Sequence, residues 1–311
     1  ELASMTKVNR VLSIIIASHN SGANVQKTLD SLLKSLGDKI VYTEIIIIDD
    51  SSSDESSIIF KQFEAKVEQA HCYRVEYRNI GKVRNYAVLK CQNDYITMLD
   101  SDDLLKENAL NDIICFLMEN NVDLLLTKLH EVRDISLENV KWKGLQPKKL
   151  LREDAIKRFI IHKDFQGHLI GQFIKREILT KCSIPDFTCY EDLYTFPDVL
   201  MVSNEIIYSQ HSHYLYIKNN NSLSNIMSGD KVEKLFLCIK RMEDIFPNKY
   251  RELIACHWID FYLKRRKWLS NLQIQHELDN ILSRVYSFGF FLNPNVRFSY
   301  KKKAIRLLWK K

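Results

Sequence analysis

The chain has 311 residues, of which 46% are hydrophobic and 27% charged, a balance that is ordinary for a soluble globular protein. No stretch approaches the roughly 20 consecutive apolar residues that cross a bilayer, and no signal peptide opens the sequence, so we expect a cytoplasmic protein. The seven cysteines include no Cys-x-x-Cys pair. The sequence therefore indicates neither a disulfide framework nor a zinc site.

The net charge of +6 comes from the end of the chain. Residues 300–311 carry six basic side chains and no acidic one, so the preceding residues sum to zero. Because residues 1–299 have no surplus of basic residues, nucleic acid is disfavoured as a partner. In the tail, basic residues alternate with Leu, Ile and Trp, as in segments that lie on anionic membranes, and we predict membrane contact there. The alternative is a tail that is solvated or packs against the core.

Strand and helix patterns alternate over the first half of the chain. The sequence predicts strands at 11–17, 44–48, 73–77 and 95–99. Between the first two strands, apolar residues recur at helical spacing from Val25 to Leu36, and Gly37 then ends the pattern. This alternation predicts a largely parallel sheet flanked by helices. In such sheets ligands bind at the carboxyl ends of the strands, so the polar residues there are the candidate site.

Polar side chains follow the first two predicted strands. They are Ser18, His19, Asn20, Asp49 and Asp50. If the strands are parallel neighbours, the two turns lie side by side, and a carboxylate there can accept hydrogen bonds from a nucleotide base or a ribose hydroxyl. The alternative is a turn that caps a helix, which the serine-rich and acidic residues 51–55 also favour.

Two basic residues, Lys82 and Arg84, lie at the start of the third predicted helix. Backbone N–H groups and positive side chains at a helix start favour an anion, and a diphosphate would fit. The alternative is a solvated helix face, the more common outcome for a single Lys or Arg.

The fourth predicted strand ends at Asp100, Ser101, Asp102 and Asp103. Side chains at i and i+2 of an extended chain point to the same side, so Asp100 and Asp102 can share a cation. Mg²⁺ and Mn²⁺ are commonly held by one or two carboxylates together with substrate phosphates, which indicates a nucleotide diphosphate. The alternative is that Asp102 or Asp103 caps a helix beginning near Leu104.

Farther along the chain the patterns are mixed. Residues 109–118 and 153–161 are predicted to be helical, residues 123–129 read as a strand, and from residue 231 onward the chain is mainly helical.

Seven segments in this order resemble one enzyme family. Residues 13–20, 46–54, 79–85 and 99–103 resemble the nucleotide-binding half of the family 2 inverting glycosyltransferases, which have the GT-A fold. Residues 171–179 resemble the family's segment before the acceptor site, 190–196 its Glu-Asp catalytic motif, and 214–224 its closing loop.

The resemblance implies a Rossmann-like α/β fold with a mixed, mainly parallel sheet and a mainly helical C-terminal region. It places a GT-A domain at 5–228, with a nucleotide-binding half at 5–105 and an acceptor-side half at 106–228. The helical region with the basic amphipathic tail then occupies 229–311.

The resemblance also implies roles for single residues. Asp102, together with Asp100, would hold the Mn²⁺ or Mg²⁺ that bridges the donor diphosphate, and Asp100 would also reach the ribose or a metal-bound water. Asp192 would be the general base, and Lys218 would approach the diphosphate from the closing loop. The remaining positions implied to bind the nucleotide sugar are Ser18, His19, Asn20, Asp49 or Asp50, Lys82, Arg84, Ser101 and Glu191. Taken without the other motifs, Asp192 would read as a helix-terminal or salt-bridged acid.

Three residues depart from the family pattern. His19 replaces a Tyr, Ser51 replaces a common Gly, and Lys218 replaces an Arg. A histidine can still stack on a base, and a lysine can still neutralise phosphate without the bidentate fork of arginine.

The resemblance thus implies a metal-dependent inverting hexosyl- or N-acetylhexosaminyltransferase. It would use a nucleotide diphosphate sugar, most simply a UDP-sugar, and a saccharide or polyprenyl-diphosphate-linked acceptor. Bacterial surface-polysaccharide synthesis, such as capsule or O-antigen assembly, is the implied setting, with the enzyme on the inner face of the cytoplasmic membrane.

Two alternatives remain at this point. A sugar-phosphate nucleotidyltransferase would have a Gly-rich, Arg-containing loop after the first strand, which residues 18–22 do not supply. An inactive, membrane-attached glycan-binding relative is disfavoured because Asp100, Asp102 and Asp192 are all present.

Overall fold

The computed structural model describes residues 10–133, 140–218 and 227–310. Within these residues, eight strands form one sheet. They are β1 (Leu12–Ser18), β2 (Thr43–Asp50), β3 (Ala70–Val75), β4 (Tyr95–Asp100), β6 (Leu124–Thr127), β8 (Pro147–Leu150), β9 (Phe173–Lys175) and β10 (Ile206–Ser209). Their order across the sheet is β3-β2-β1-β4-β9-β6-β10-β8. A smaller sheet, in the order β5-β11-β7, contains β5 (Leu104–Leu105), β7 (His130–Val132) and β11 (Tyr214–Ile217).

Strands β1 to β4 are mutually parallel, as the strand–helix alternation predicts. Their β-branched residues are buried on both faces; Ile45 to Ile48 are at most 1% exposed. The register pairs Ser18 with Asp49 and Ala17 with Asp100, so these strands end side by side. The α/β class and the mainly parallel sheet are confirmed.

The third strand lies earlier in the chain than the sequence predicted, at Ala70–Val75 instead of 73–77. The backbone N–H groups of Tyr77 and Arg78 donate to the Asp50 carboxylate instead of continuing the ladder. Arg78 has a positive φ of 47°, so the chain turns away from the sheet there.

The other half of the sheet is joined to the first through β9. This strand runs antiparallel to both β4 and β6, and it pairs Ile174 with Ile96 and Leu124. Strand β9 therefore connects the parallel strands β1 to β4 to the remaining strands of the sheet.

The helices that precede residue 205 flank this sheet. They are α1 (Val25–Leu36), α2 (Ser56–Lys66), α3 (Ile80–Lys90), α4 (Ala109–Glu119), α5 (Arg152–Ile161), α6 (Arg176–Lys181) and α7 (Glu191–Val202). In α1 the buried apolar residues follow helical spacing, and Gly37 ends the helix with a φ of 55°.

The C-terminal region is helical, as predicted. It contains α8 (Gly229–Ile245), α9 (Arg251–Arg265), α10 (Leu272–Val285), α11 (Phe288–Leu292) and α12 (Phe298–Trp309). Helix α8 packs against α7, and α9 packs against α5, α8, α10 and α12. Buried Trp258 contacts the rings of Phe236 and Phe261 between α8 and α9. In the part of the chain that the structure describes, no helix is long and apolar enough to span a membrane.

Candidate functional site

The carboxyl ends of β1 and β2 border a pocket of about 210 Å³. Its lining consists of Ala17, Ser18, His19, Asp50, Arg78, Asn79, Ile80 and Val83. The buried Ser18 hydroxyl donates to the Ser21 hydroxyl, 3.0 Å away. The His19 ring is oriented by a 2.7 Å hydrogen bond from Nδ1 to the Asp50 carbonyl oxygen. This pocket lies where the sequence predicts nucleotide binding.

Asp49 and Asp50 point in opposite directions, as neighbours on a strand do. Asp49 is buried and accepts from the Ser57 hydroxyl and from Arg74, at 3.2 Å, so it holds the start of α2. Asp50 lines the pocket, and its Oδ1 accepts from two backbone N–H groups of the following loop. Of the two residues, only Asp50 therefore lines this pocket.

Asn20 ties the turns after β1 and β2 together. It has a positive φ of 48°, its N–H donates to the Ser52 hydroxyl at 3.0 Å, and its Oδ1 accepts from the N–H of Ser53 at 2.8 Å. The structure thus gives Asn20 a scaffolding position at the edge of the pocket.

The turn after β4 presents two carboxylates. Asp100 ends the strand, and Asp102 is exposed, with the Asn24 amide 3.5 Å from its Oδ1. Between them, buried Ser101 has its hydroxyl against that of Ser21, and its carbonyl oxygen accepts from Thr28 at 2.8 Å. Ser101 therefore anchors the turn to α1.

Asp103 joins this turn to the strand β11. It is buried, and it accepts from the Tyr214 hydroxyl at 2.6 Å and from the N–H of Ile217 at 3.0 Å. The Tyr214 oxygen in turn accepts from the N–H of Asp100. Burial and the nearby Asp100 raise the pKa of Asp103 to about 7.

The helix-cap alternative for Asp102 and Asp103 is wrong. Residues Leu104–Leu105 form β5, and the following helix begins at Ala109. The role of Asp103 could not be read from the sequence, because its partners lie more than a hundred residues away.

The start of α3 is a docking surface for the segment 184–187. Asn79 caps the helix through the N–H of Lys82 and donates from its amide to the carbonyl of Asp186, both at 3.0 Å. Asn85 donates to the carbonyl of Ile184 at 2.6 Å. The exposed Lys82 side chain remains at the helix start.

Gly81 allows this close approach. Its N–H donates to the carbonyl of Phe187 at 3.0 Å, and a Cβ added to it would lie 1.9 Å from the carbonyl oxygen of Pro185. Two segments a hundred positions apart are therefore in backbone contact. The segment 184–187, which contacts the start of α3, precedes α7 in the chain.

Arg84 lies between the two carboxylate groups of the site. It is buried, with one nitrogen 3.3 Å from Glu191 and another 3.7 Å from Asp100. Burial raises the pKa of Glu191 to about 7, opposed by Arg84 and reinforced by Asp192. The Arg84 guanidinium thus lies between the end of β4 and the start of α7 and brings their carboxylates close together.

Asp192 lies in the first turn of α7. Its Oδ2 is 3.4 Å from His168 Nδ1, and its Oδ1 accepts from the N–H of Leu193 at 2.8 Å. Burial acts to raise the pKa of Asp192, but the hydrogen bond and charge of His168, together with Arg84, hold it below its usual value. Asp192 is therefore ionised at neutral pH.

His168 is a site residue that sequence reasoning missed. Burial would lower its pKa, yet the contact with Asp192 raises it overall. Nothing in the spacing of residues around position 168 signals this contact, which joins side chains 24 positions apart.

A larger cavity of about 600 Å³ begins beside His168. Its lining consists of Lys128, Leu129, His130, Glu131, His162, Asp164, Phe165, Gln166, His168, Gln210, Ser212 and Tyr216. The rings of His168 and Tyr216 lie nearly parallel, with centroids 6.5 Å apart. We call this cavity the acceptor-side cleft.

Lys218 follows β11 and forms an ion pair of 2.9 Å with Glu131. The remainder of the expected closing loop, residues 219–224, lies outside the described residues.

Helix α12 has two distinct faces. Ala304 and Leu307 are buried, and the Tyr300 hydroxyl and the Lys303 ammonium both reach Asp260 on α9. The opposite face is apolar and basic. Its exposed apolar side chains are Phe298, Ile305, Leu308 and Trp309, the last 86% exposed.

The described residues contain no group of three or more His, Cys, Asp or Glu side chains that could hold a metal on its own. Asp100 and Asp102 nevertheless present carboxylates on one turn, a donor set that suits Mg²⁺ or Mn²⁺ when phosphate oxygens complete the coordination. The arrangement fits a cation that arrives with a nucleotide diphosphate.

Comparison with known proteins agrees with this architecture. TarP, a poly(ribitol-phosphate) beta-N-acetylglucosaminyltransferase of Staphylococcus aureus, is 27% identical over 232 residues, covering 71% of this chain and 66% of TarP. The glycosyltransferase GlyG of Streptococcus pneumoniae is 21% identical, covering 70% of this chain and 73% of GlyG. The chain thus spans just under two thirds of the length of TarP.

Solved structures share the fold. A crystal structure of residues 1–349 of S. aureus TarS with UDP-GlcNAc superposes with a TM-score of 0.68 at 18% identity, covering 96% of this chain and 85% of that one. The mannosyltransferase PcManGT of Pyrobaculum calidifontis, in complex with GDP-Man and Mn²⁺, gives a TM-score of 0.59 at 12% identity, covering 97% and 88%. The expected GT-A fold is confirmed.

The sequence model of the family described as glycosyl transferase family 2 matches residues 13–179, more than half of the chain. On this match, and with the fold in agreement, the chain belongs to glycosyl transferase family 2.

Proposed function

We propose that this protein is an inverting glycosyltransferase that moves a sugar from a UDP-linked donor to a saccharide acceptor in bacterial surface-polysaccharide synthesis. One observation carries the proposal. Arg84 lies 3.7 Å from Asp100 and 3.3 Å from Glu191, so the carboxylates suited to the donor lie close to the first turn of α7, which carries Asp192.

The pocket at the ends of β1 and β2 supports a nucleoside as the donor's recognition group. His19 offers a ring for stacking, and Asp50 offers a carboxylate for the base or ribose. TarS has been solved with UDP-GlcNAc and with UDP, and TarP is an N-acetylglucosaminyltransferase. We therefore favour a UDP-sugar, with UDP-N-acetylhexosamine as the first candidate.

The donor diphosphate would bind at the turn after β4 through a divalent cation. Asp100 and Asp102 would hold Mn²⁺ or Mg²⁺ there, and the cation would supply charge stabilisation for the departing diphosphate. Exposed Lys82 at the start of α3, and Lys218 after β11, would add positive charge from the protein itself.

Asp192 has the properties of the general base. Its pKa is held below the usual value, so it is ionised, and it lies near Arg84, which also contacts Asp100. An acceptor hydroxyl transfers its proton to the Asp192 carboxylate while its oxygen bonds to the anomeric carbon. The bond from that carbon to the phosphate oxygen breaks on the opposite side, and its electron pair leaves with UDP, so the configuration inverts.

The exposed face of α12 supports a membrane-associated acceptor. Its apolar residues and its lysines and arginine form an amphipathic surface of the kind that lies among anionic headgroups. Such contact would hold the enzyme beside a polyprenyl-diphosphate-linked saccharide at the inner face of the cytoplasmic membrane.

A panel of nucleotide sugars, with and without Mn²⁺, tests the proposed function without an acceptor. We expect one UDP-sugar to raise the melting temperature in a metal-dependent way and to be hydrolysed slowly. Asp102→Ala should abolish the metal-dependent part of the stabilisation, whereas Asp30→Ala, at an exposed acid on α1, should retain it.

Other outcomes of this panel would contradict the proposal. Stabilisation without hydrolysis would indicate an inactive binding relative. In a parallel assay, release of pyrophosphate from a nucleoside triphosphate and a sugar phosphate would indicate a nucleotidyltransferase.

A further inference from the structure

The acceptor-side cleft adjoins a second cavity of about 240 Å³. The two share His130, Gln210 and Ser212. The rest of the second cavity is lined by Lys106, Val140, Lys141, Lys143 and His211. Among the described residues that line it there is no carboxylate, and we call it the basic cavity.

The acidic groups of the neighbouring cleft already have cationic partners. Glu131 pairs with Lys218, and Asp164 pairs with Arg158, each at 2.9 Å. In contrast, no ion pair within the described ranges involves any of four lysines along the two cavities. They are Lys106, Lys128, Lys141 and Lys143.

Two lysines of the basic cavity, Lys106 and Lys143, are close enough to repel one another. Partial burial lowers the pKa of Lys106, and the positive charge of Lys143 lowers it further. Like charges held around a concave surface raise the free energy of the empty site and favour a ligand that brings negative charge.

The donor does not account for this charge. The pocket at the ends of β1 and β2 shares no lining residue with the basic cavity, and the turn with Asp100 and Asp102 is acidic and suits a cation. The basic cavity instead continues the cleft that begins beside His168 and Asp192.

We propose that the basic cavity binds an anionic group of the acceptor glycan, a phosphate or a carboxylate, next to the sugar hydroxyl that Asp192 deprotonates. The acceptor is then a negatively charged saccharide, held through Lys106, Lys141 and Lys143. This inference rests on the proposed function, because it assigns the acceptor to the cleft beside Asp192.

Binding of three probes tests the inference, measured by calorimetry without divalent cations. Inorganic polyphosphate carries phosphate, oligogalacturonate carries carboxylate, and a malto-oligosaccharide is neutral. We expect the parent protein to bind at least one anionic probe and not the neutral one. The preferred anionic probe identifies which of the two groups the acceptor carries.

The variant K106Q/K141Q/K143Q should weaken that binding about tenfold, as expected for three partly exposed charge pairs. The control K27Q/K61Q/K66Q changes exposed lysines on α1 and α2 and removes the same net charge. We expect it to bind within about twofold of the parent. The single variant Lys141→Gln, at an exposed position, provides a folded protein if the triple variant is unstable, and should show a smaller loss.

An equal loss of anion binding in the two triple variants would show that the probes respond to net charge alone, and it would overturn the inference. A parent protein that binds neither anionic probe would also overturn it. Hydrolysis of the UDP-sugar by the same preparations separates this outcome from failure of the proposed function. If K106Q/K141Q/K143Q hydrolyses the donor as fast as the parent and also binds the anionic probes as tightly as the parent, only the acceptor inference fails.

Discussion

Arg84 and Glu191 form a buried ion pair at 3.3 Å that joins α3 to α7, the helix that carries Asp192. The same guanidinium lies 3.7 Å from Asp100. It therefore holds Asp100 at the end of β4 near Glu191 at the start of α7. Its positive charge also reduces the repulsion between these carboxylates.

Arg84→Met should destabilise the protein by about 3 kcal/mol, because it leaves buried Glu191 without its countercharge. Chemical denaturation measures this loss. The double variant R84M/E191Q removes both charges and should recover much of the stability. If the double variant were as unstable as the single one, the loss would come from packing and not from the unpaired carboxylate.

Asp192→Asn should retain metal-dependent binding of the UDP-sugar and lose transfer by at least about a hundredfold, because an amide cannot accept the proton of the acceptor hydroxyl. Transfer to an acceptor and thermal stabilisation by the donor are measured on the same protein. Transfer at the parent rate would remove Asp192 from the role of base.

His168→Ala should move the acidic limb of the pH–rate profile to higher pH. Without the contact from His168 Nδ1, the pKa of Asp192 rises, so more alkaline conditions are needed to ionise the base. His168→Asn places an amide N–H near the position of Nδ1 and should restore the limb in part. Donor hydrolysis should change little in either variant.

The matched control for position 168 is His276→Ala, at an exposed histidine on α10. An unchanged pH profile in His168→Ala would mean that the 3.4 Å contact does not affect Asp192. An equal loss of donor hydrolysis and transfer would instead indicate a general structural role.

Gly81→Ala should reduce stability by about 1–3 kcal/mol, because its Cβ would lie 1.9 Å from the carbonyl oxygen of Pro185 and force the segment 184–187 away from α3. Transfer should fall with it, since that segment positions the start of α7. Leu89→Ala, at an exposed residue on α3, is the control and should change stability by less than about 0.5 kcal/mol.

The outward face of α12 should determine membrane binding. I305S/L308S/W309S removes exposed apolar groups without touching buried Ala304 and Leu307, and it should reduce partitioning onto anionic vesicles at least about tenfold. Sedimentation with vesicles measures this. The control V41S/L89S/L151S alters apolar residues exposed elsewhere and should sediment like the parent. Equal sedimentation of both variants would exclude α12 as the membrane surface.

Much of the site could be predicted because its signals are local. The placement of Asp100 and Asp102 follows from the end of an apolar strand, and the pocket between β1 and β2 follows from parallel pairing. The choice between Asp49 and Asp50 could not be made, because it depends on the register of β2 and on which atoms approach each carboxylate.

Sequence alone determined the α/β class, the alternation of strands and helices in the first half, and the family to which the motifs belong. These follow from hydrophobic alternation and short motifs, which involve residues close together in the chain. Tertiary structure decided that Arg84 joins Asp100 to Glu191, that Asp103 holds β11, and that His168 contacts Asp192. Each of these contacts depends on how distant segments pack, and no local pattern of residues specifies that geometry.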